Sequence, residues 1–302
     1  MIELRRVETD ADVELYLRLR NEIYPQHPFS AVALAESRAQ GWRLDLVASL
    51  DGAPVGVGSV GRDWVDPEGP VGFASVRVLR AARGRGVGTA LYRALSADAE
   101  AHGRSELYVV VAEEDAGTPA YLGKRGYRCV LQMQGVALDL AALPCDTVSQ
   151  GTGCELRRLE PGLDRAVYEA AREVEAALDV GDGTAMAPLD FDAWRRRQLP
   201  AHVRRDLSFA ALDGATVAGY AILEQQTEAI GEHAMTGVRP AYRGRGIATA
   251  LKLAQARAAH AAGLRELRGA NVLANAAMRR VNAKLGYRQT SLQTHLRGPL
   301  LL

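Results

Sequence analysis

Arg83-Gly84-Arg85-Gly86-Val87-Gly88-Thr89-Ala90-Leu91 recurs as Arg243-Gly244-Arg245-Gly246-Ile247-Ala248-Thr249-Ala250-Leu251, 160 residues further along. A repeat of this kind sets how many structural units a chain builds, so it comes before any other fold signal. Three more markers keep the same order around it. Glu3-Leu4-Arg5-Arg6-Val7 returns as Glu155-Leu156-Arg157-Arg158-Leu159, Leu50-Asp51-Gly52-Ala53 as Leu212-Asp213-Gly214-Ala215, and Gly126-Tyr127-Arg128 as Gly286-Tyr287-Arg288. Their offsets are 152, 162 and 160, so the spacing from the glycine-rich stretch to Gly-Tyr-Arg is unchanged between copies. At roughly 150 residues per domain, the 302 residues hold two domains, and the repeat makes them copies of one. They are predicted to span residues 1–143 and 153–302, joined where Leu143-Pro144 and Ser149-Gln150-Gly151-Thr152-Gly153 break any periodic pattern.

The same elements are predicted in each copy. Apolar residues at helical spacing mark Asp12 to Tyr24 and Asp164 to Leu178. Strands at Asp45 to Leu50 and Pro54 to Val60 meet at Asp51-Gly52, a hairpin turn signal, and Ser208 to Leu212 and Thr216 to Leu223 repeat this around Asp213-Gly214. A third strand, Gly72 to Val78 or Glu232 to Val238, runs into the glycine-rich stretch, which opens a helix ending at His102-Gly103 or Ala262-Gly263. Further strands are expected at Glu106 to Val111 and Leu264 to Leu267, then a last helix and a closing strand. Asp190 to Arg197 reads as a capped helix with a basic, solvated face.

Composition narrows the function classes. With 37 Lys+Arg against 36 Asp+Glu the net charge is +1, which gives no electrostatic case for nucleic acid or an anionic membrane as partner. The 48% hydrophobic and 24% charged residues are those of a globular protein. Cys129, Cys145 and Cys154 have neither disulfide-framework nor zinc spacing, and the histidines are scattered, so no metal is expected. Met1 to Arg6 offers no apolar leader, and no run approaches the ~18 apolar residues of a membrane span. A cytoplasmic location is expected.

A strand, a glycine-rich loop and a helix together make a place for phosphate. The first helical turn has backbone N–H groups without partners and the positive end of the helix dipole. Glycine removes the Cβ atoms that would hold a pyrophosphate off the backbone, and arginine at the rim adds charged donors. A P-loop would need Gly-Lys-Ser/Thr, which neither copy has, and the G-x-G-x-G spacing of Gly84, Gly86 and Gly88 is not a Rossmann fingerprint.

The pattern Arg-x-x-Gly-x-Gly/Ala after a strand ending in Val resembles the acetyl-CoA-binding motif of the GNAT superfamily of acyl-CoA N-acyltransferases. Val78, Arg83, Gly86 and Gly88 match it in one copy, and Val238, Arg243, Gly246 and Ala248 in the other. The closing Asn275-Ala276-Ala277-Met278 through Asn282 to Leu285-Gly286-Tyr287 is similar too. The resemblance implies an α/β (α+β) fold of two tandem GNAT domains, each a mixed, mostly antiparallel sheet flanked by helices. It implies acetyl-CoA as acyl donor, held in the second half by Val238, Arg243, Gly244, Arg245, Gly246, Ile247, Ala248, Thr249 and Asn275. The counterparts are Val78, Arg83, Gly84, Arg85, Gly86, Val87, Gly88 and Thr89.

By that resemblance a strand N–H polarises the thioester carbonyl and an amine attacks directly once a base takes its proton. Glu232 and His233, on the strand entering the second motif, are the candidate catalytic residues, and period-2 alternation sends them to opposite faces unless a bulge intervenes. Glu224 and Glu228 are further base candidates. The family's proton-donating Tyr is replaced by Leu122 and Asn282, with Tyr121 one place off, and Asp115 stands where the second copy has Asn275. The second half is therefore expected to be the main acetyl-CoA site and the first half the degenerate one. The expected activity is N-acetylation of a small-molecule amine by a monomer or homodimer. The competing reading is a non-catalytic acyl-CoA-binding or sensing protein.

Overall fold

A computed structural model describes residues 1–25, 29–63, 68–113, 117–143, 151–177 and 189–301. Asp115 and Cys145 lie outside them. The chain divides into two compact units: residues 1–130 with 294–302, and residues 131–293.

The first unit begins with β1 (Ile2–Arg6), α1 (Asp10–Ile23), α2 (Ala31–Ala39), β2 (Arg43–Leu50), β3 (Ala53–Arg62) and β4 (Val71–Val78). It continues with α3 (Val87–Ala101), β5 (Glu106–Ala112) and α4 (Gly117–Gly123). Its strands lie in the order β1-β2-β3-β4-β5 and are antiparallel except for the parallel pair β4–β5. α1 starts in a capping box, with the Thr9 hydroxyl and Asp12 carboxylate each satisfying the other's backbone N–H. α3 buries Leu91 and Leu95 against β3, where a Cβ on Gly58 would stand 3.1 Å from both leucines. Gly58 is therefore a close-approach glycine that lets helix and sheet touch. The helix α2 carries too weak an apolar stripe to be read from sequence; its Ser30 cap is the local signal.

The second unit holds most of β6 (Arg128–Asp139), then β7 (Glu155–Arg158), α5 (Asp164–Ala176), α6 (Phe191–Gln198), β8 (Phe209–Asp213) and β9 (Thr216–Gln225). β10 (Ile230–Val238), α7 (Ile247–Ala261), β11 (Glu266–Val272), α8 (Ala276–Lys284) and the first part of β12 (Arg288–Pro299) complete it. Here β6 pairs antiparallel with β11, β11 parallel with β10, and β9, β8 and β7 follow antiparallel. α6 is the capped helix read at Asp190 to Arg197: the Asp190 carboxylate accepts from the Ala193 N–H, and Trp194 is buried.

Two sequence expectations need revision. The turn between β8 and β9 is Gly214-Ala215, one residue beyond the expected Asp213-Gly214, whereas Asp51 and Gly52 form the first turn with φ of 52° and 82°. The compact units also depart from the boundary drawn at 143 and 153. Val136, Leu138 and Leu140 pack in the second unit's core, and Leu296 in the first unit's core with Leu300 and Leu301 against it. Chain order placed the boundary in the sequence; apolar packing places it in the structure.

Candidate active site

The second glycine-rich loop is wound as its residue types require. Gly244 and Gly246 take φ of 81° and 79°, a region that penalises a side chain. A Cβ at either would meet nothing within 4 Å, so the loop's outer surface is open to a ligand. Behind it, the Arg243 Nε–H donates to the Val238 carbonyl at 3.3 Å, tying the loop to the end of β10. Arg245 folds back instead, its guanidinium 4.8 Å from the Tyr242 ring centre. The start of α7 follows with its unpaired N–H groups, so an anionic ligand here would find backbone donors and arginine together.

This loop forms one end of a cleft of about 580 Å³. Val238, Arg243, Gly244, Gly246, Ile247, Ala248, Thr249 and Asn275 line it, as do Thr236 and Gly237 of β10 and Val281 and Lys284 of α8. Of the second-half residues picked from sequence for the coenzyme, Arg245 alone is not on its wall; the catalytic candidates Glu232 and His233 are not on it either. Asn275 caps α8, its Oδ1 accepting from the Met278 N–H at 3.0 Å.

The cleft runs between β10 and β11 because those strands part. Their parallel pairing covers only Ile230–Glu266, Gly231–Leu267 and Glu232–Arg268. Just beyond, the β9–β10 register shifts between His233 and Met235, making Ala234 a bulge. A bulge bends its strand and releases local ladder hydrogen bonds, so backbone donors of β10 are available where the wedge opens.

Glu232 and His233 lie on opposite faces at the root of this wedge. Glu232 sits opposite Glu224 on β9 and beside Arg268 on β11. Burial, reinforced by the Glu224 charge, pushes its carboxyl above the ordinary value, against a downward pull from Arg268. That environment suits a proton acceptor. His233 turns toward α7, with Nδ1 3.0 Å from Gln255 Oε1 and Nε2 2.6 Å from the Tyr287 hydroxyl. Since Gln255 Oε1 can only accept, Nδ1 carries the proton and Nε2 accepts from Tyr287. Burial first, then the Lys252 charge, holds the imidazole well below its ordinary pKa. With both nitrogens engaged, His233 has no lone pair for a substrate, which leaves Glu232 of the pair.

Around His233 lies a buried polar cluster that sequence reading missed. Lys252 and Gln255 of α7, Asn271 of β11, Asn282 of α8 and Tyr287 are all buried. Asn282 Nδ2 donates to Asn271 Oδ1 at 3.0 Å. The Lys252 ammonium lies 4.5 Å from the Tyr287 ring centre, and burial lowers its pKa to about 7. The missed signal was the repeat itself. Tyr92, Leu95, Val111 and Leu122 occupy the matching places in the first copy, so polar replacement is confined to the second.

The first unit keeps the loop but not the rest. Gly84 and Gly86 have φ of 76° and 88°, and Arg83 Nε–H donates to the Val78 carbonyl at 3.1 Å. Val87, Gly88 and Thr89 open α3 as Ile247, Ala248 and Thr249 open α7. Arg85, however, pairs with Asp51 at 3.3 Å. β4 pairs with β3 without a register shift, and the residues matching Glu232 and Arg268 at the wedge are Phe73 and Tyr108. The Tyr121 hydroxyl is 2.8 Å from Thr89 Oγ1, beside the loop. Among the described residues, the first unit thus keeps the loop geometry without a carboxylate at the position of Glu232 or a bulge beside it.

Among the described residues, no group of three His, Cys, Asp or Glu side chains is placed to hold a metal ion, and no helix is long and apolar enough to cross a membrane.

Known proteins share this fold. A GCN5-related N-acetyltransferase from Sphaerobacter thermophilus superposes with TM-score 0.79 at 20% identity, over 100% of this chain and 96% of its own. A tandem GNAT protein from the clavulanic acid biosynthesis pathway gives 0.71 at 20% identity, over 100% and 99%. An acetyltransferase from Colwellia psychrerythraea gives 0.62 at 11% identity, over 99% and 100%. These likenesses are of fold. No curated protein matches the sequence significantly. The acetyltransferase (GNAT) family profile matches twice, over residues 11–127 and 168–287, and each match contains one of the two glycine-rich loops. By sequence as well as by fold, the chain belongs to the acetyltransferase (GNAT) family.

Proposed function

We propose that the chain transfers an acetyl group from acetyl-CoA to a primary amine of a small molecule, at the cleft of the second unit. Family membership supports acyl transfer. The observation that carries the finer reading is the placement of Glu232 at the root of a bulged wedge whose other end is the open glycine loop. Open space over Gly244 and Gly246 fits a pyrophosphate on the N–H groups of Arg243 to Thr249, with Asn275 on the opposite wall. The donor supplies an activated thioester. Backbone N–H groups of β10 past Ala234 would hold its carbonyl and the charge that develops there. Glu232 would take the proton of the attacking amine, and the neighbouring Glu224 favours a cationic acceptor at this end.

The test is calorimetric titration with acetyl-CoA followed by a thiol-release assay over an amine library. Micromolar binding and amine-dependent release are expected; no binding up to millimolar acetyl-CoA would sink the reading. Binding without release would favour an acyl-CoA sensor, the reading that Asn282, an amide with no acid to offer, supports. Glu232→Gln is expected to leave acetyl-CoA affinity within about twofold and to lower kcat roughly 100-fold or more, the usual share of a general base. Its acidic limb, which wild type should show above the ordinary carboxylate pKa, should disappear from the pH–rate profile.

A further inference from the structure

Aminolysis of a thioester releases a thiolate, which needs a proton. The position facing Asn271 is an amide, Asn282, already hydrogen-bonded. His233 is spent on Gln255 and Tyr287. Tyr242, Arg243, Arg280 and Lys284 line the wall, and one further ionisable group, Lys252 of α7, is buried and not itself on it. Its ammonium lies against the Tyr287 ring, and its charge acts on His233 of β10. No carboxylate among the described residues pairs with it; its recorded neighbour is the Tyr287 ring. A buried ammonium without a counter-ion is costly, so its retention asks for a use.

The helix places Lys252 behind the wedge. α7 runs back along β10: a Cβ on Gly219 would touch both Ile247 and Val238, whereas one on Gly231 would touch Leu264. At 1.5 Å per residue, Lys252 is about 7.5 Å down from Ile247, near the level of Thr236, and Gln255 reaches the level of His233. Lys252 also shares a helical stripe with Ala248 and Thr249, both on the cleft wall. Thr236, on that wall too, has a buried Oγ1 without a hydrogen-bond partner. The Tyr287–His233–Gln255 chain fixes the aromatic ring against which the ammonium rests.

We propose that Lys252 is the acid of the reaction, giving its proton to the departing coenzyme thiolate. This rests on the acetyl-CoA reading above. The acceptor nitrogen bonds to the acyl carbon as the C–S bond breaks, and Glu232 takes the proton from nitrogen. The sulfur's electron pair takes a proton from the Lys252 ammonium, leaving a neutral amine. Solvent then returns a proton to Lys252 and removes one from Glu232, so the sum is amine plus thioester to amide plus thiol. His233 and Tyr287 are positioning residues.

The chain has only three lysines, Lys124, Lys252 and Lys284, so lysine-selective carbon-13 NMR gives three titrating signals. One should titrate near pH 7, in keeping with burial of Lys252, and vanish in Lys252→Met. Coenzyme A, which carries the thiol, should move that titration up by about one unit or more, and acetyl-CoA, which does not, should move it less; linkage then requires an equal fall in the bound thiol's pKa, read from thiolate ultraviolet absorbance. Lys252→Met should abolish that fall while still binding coenzyme A, and Lys252→Gln repeats the measurement should the methionine variant misfold. Lys252→Arg should keep the lowered thiol pKa yet lose turnover about 10-fold or more, since guanidinium does not give up its proton. Identical thiol titrations on wild type and Lys252→Met, or a lysine signal indifferent to the thiol, overturn the proposal with the acetyl-CoA reading intact. Failure of wild type to bind either coenzyme form overturns both.

Discussion

Gly246→Glu is expected to reduce acetyl-CoA affinity at least roughly 100-fold, about 2.8 kcal/mol, and Gly86→Glu several-fold at most. Gly246 stands at φ 79° with open space beyond its missing Cβ, so the variant should fold. The left-handed backbone costs it about 1–2 kcal/mol. The larger effect is electrostatic. A carboxylate about 4 Å from a phosphate opposes it by about 4 kcal/mol at an effective dielectric constant near 20, and it also blocks the N–H groups of the first helical turn. Gly86 has nearly the same φ, 88°, and a Cβ there would meet Ile2 Cδ1 at an ordinary 3.5 Å, so both variants share the backbone cost and differ mainly in what the cradle holds. Calorimetry on the two variants, with melting curves as a control for folding, separates these effects. Equal losses of affinity would contradict the assignment of the second unit as the main site.

Removing residues 294–302 should unfold the first unit and spare the second. Those residues bury Leu296, pack Leu300 and Leu301 against the same core, and join Arg297 to Glu106 and His295 to Tyr108 at 2.6 Å each. The leucines alone contribute on the order of 5 kcal/mol at roughly 1.5–3 each, comparable with the whole stability of a small domain. Limited proteolysis of a chain ending at residue 293 should cleave throughout 1–130 and leave 131–293 resistant. A single cooperative transition at the wild-type temperature would show the segment to be dispensable. By contrast, a fragment cut at residue 143 should fail as an independent domain.

Lys252 makes a separable prediction about stability. Folded, the amine loses its proton at about 7, against 10.5 in the open chain. Between those values the unfolded chain binds more protons, so the lysine's penalty is full below pH 7 and fades as pH rises toward 10.5. At about 1.4 kcal/mol per unit the penalty is on the order of 4–5 kcal/mol. Lys252→Met should therefore stabilise the protein more at pH 6 than at pH 9 in denaturant melts.

The duplication, both hairpins, the loops and the helices they open were legible because each rests on a local signal: an offset, an Asp-Gly pair, a glycine at positive φ. The bulge at Ala234 was not. It adds one residue to β10 while the preceding connection is shorter than its counterpart, and the repeat offsets register only the net change. The exchange of segments 131–143 and 294–302 was hidden for a different reason. Both are apolar strand ends, and nothing in a strand's own residues says which core it will join. Lys252 and Gln255 interrupt an apolar stripe and read alone as helix surface; only comparison with Tyr92 and Leu95 marks them as buried replacements.

The late completion of the first unit has a consequence for biosynthesis. Its contacts between Tyr108 and His295 and between Ser96 and Leu301 join residues 187 and 205 positions apart. Domains ordinarily fold in the order in which they are translated. Here the half that emerges first waits, with β5 unpaired on one side, until the ribosome has made the residues that close it. An exposed strand edge invites association with other chains, so the nascent first half is the stage at which a chaperone would matter most. Nor can gene fission deliver a working first half, because the residues that complete it, 294–302, lie at the far end of the chain.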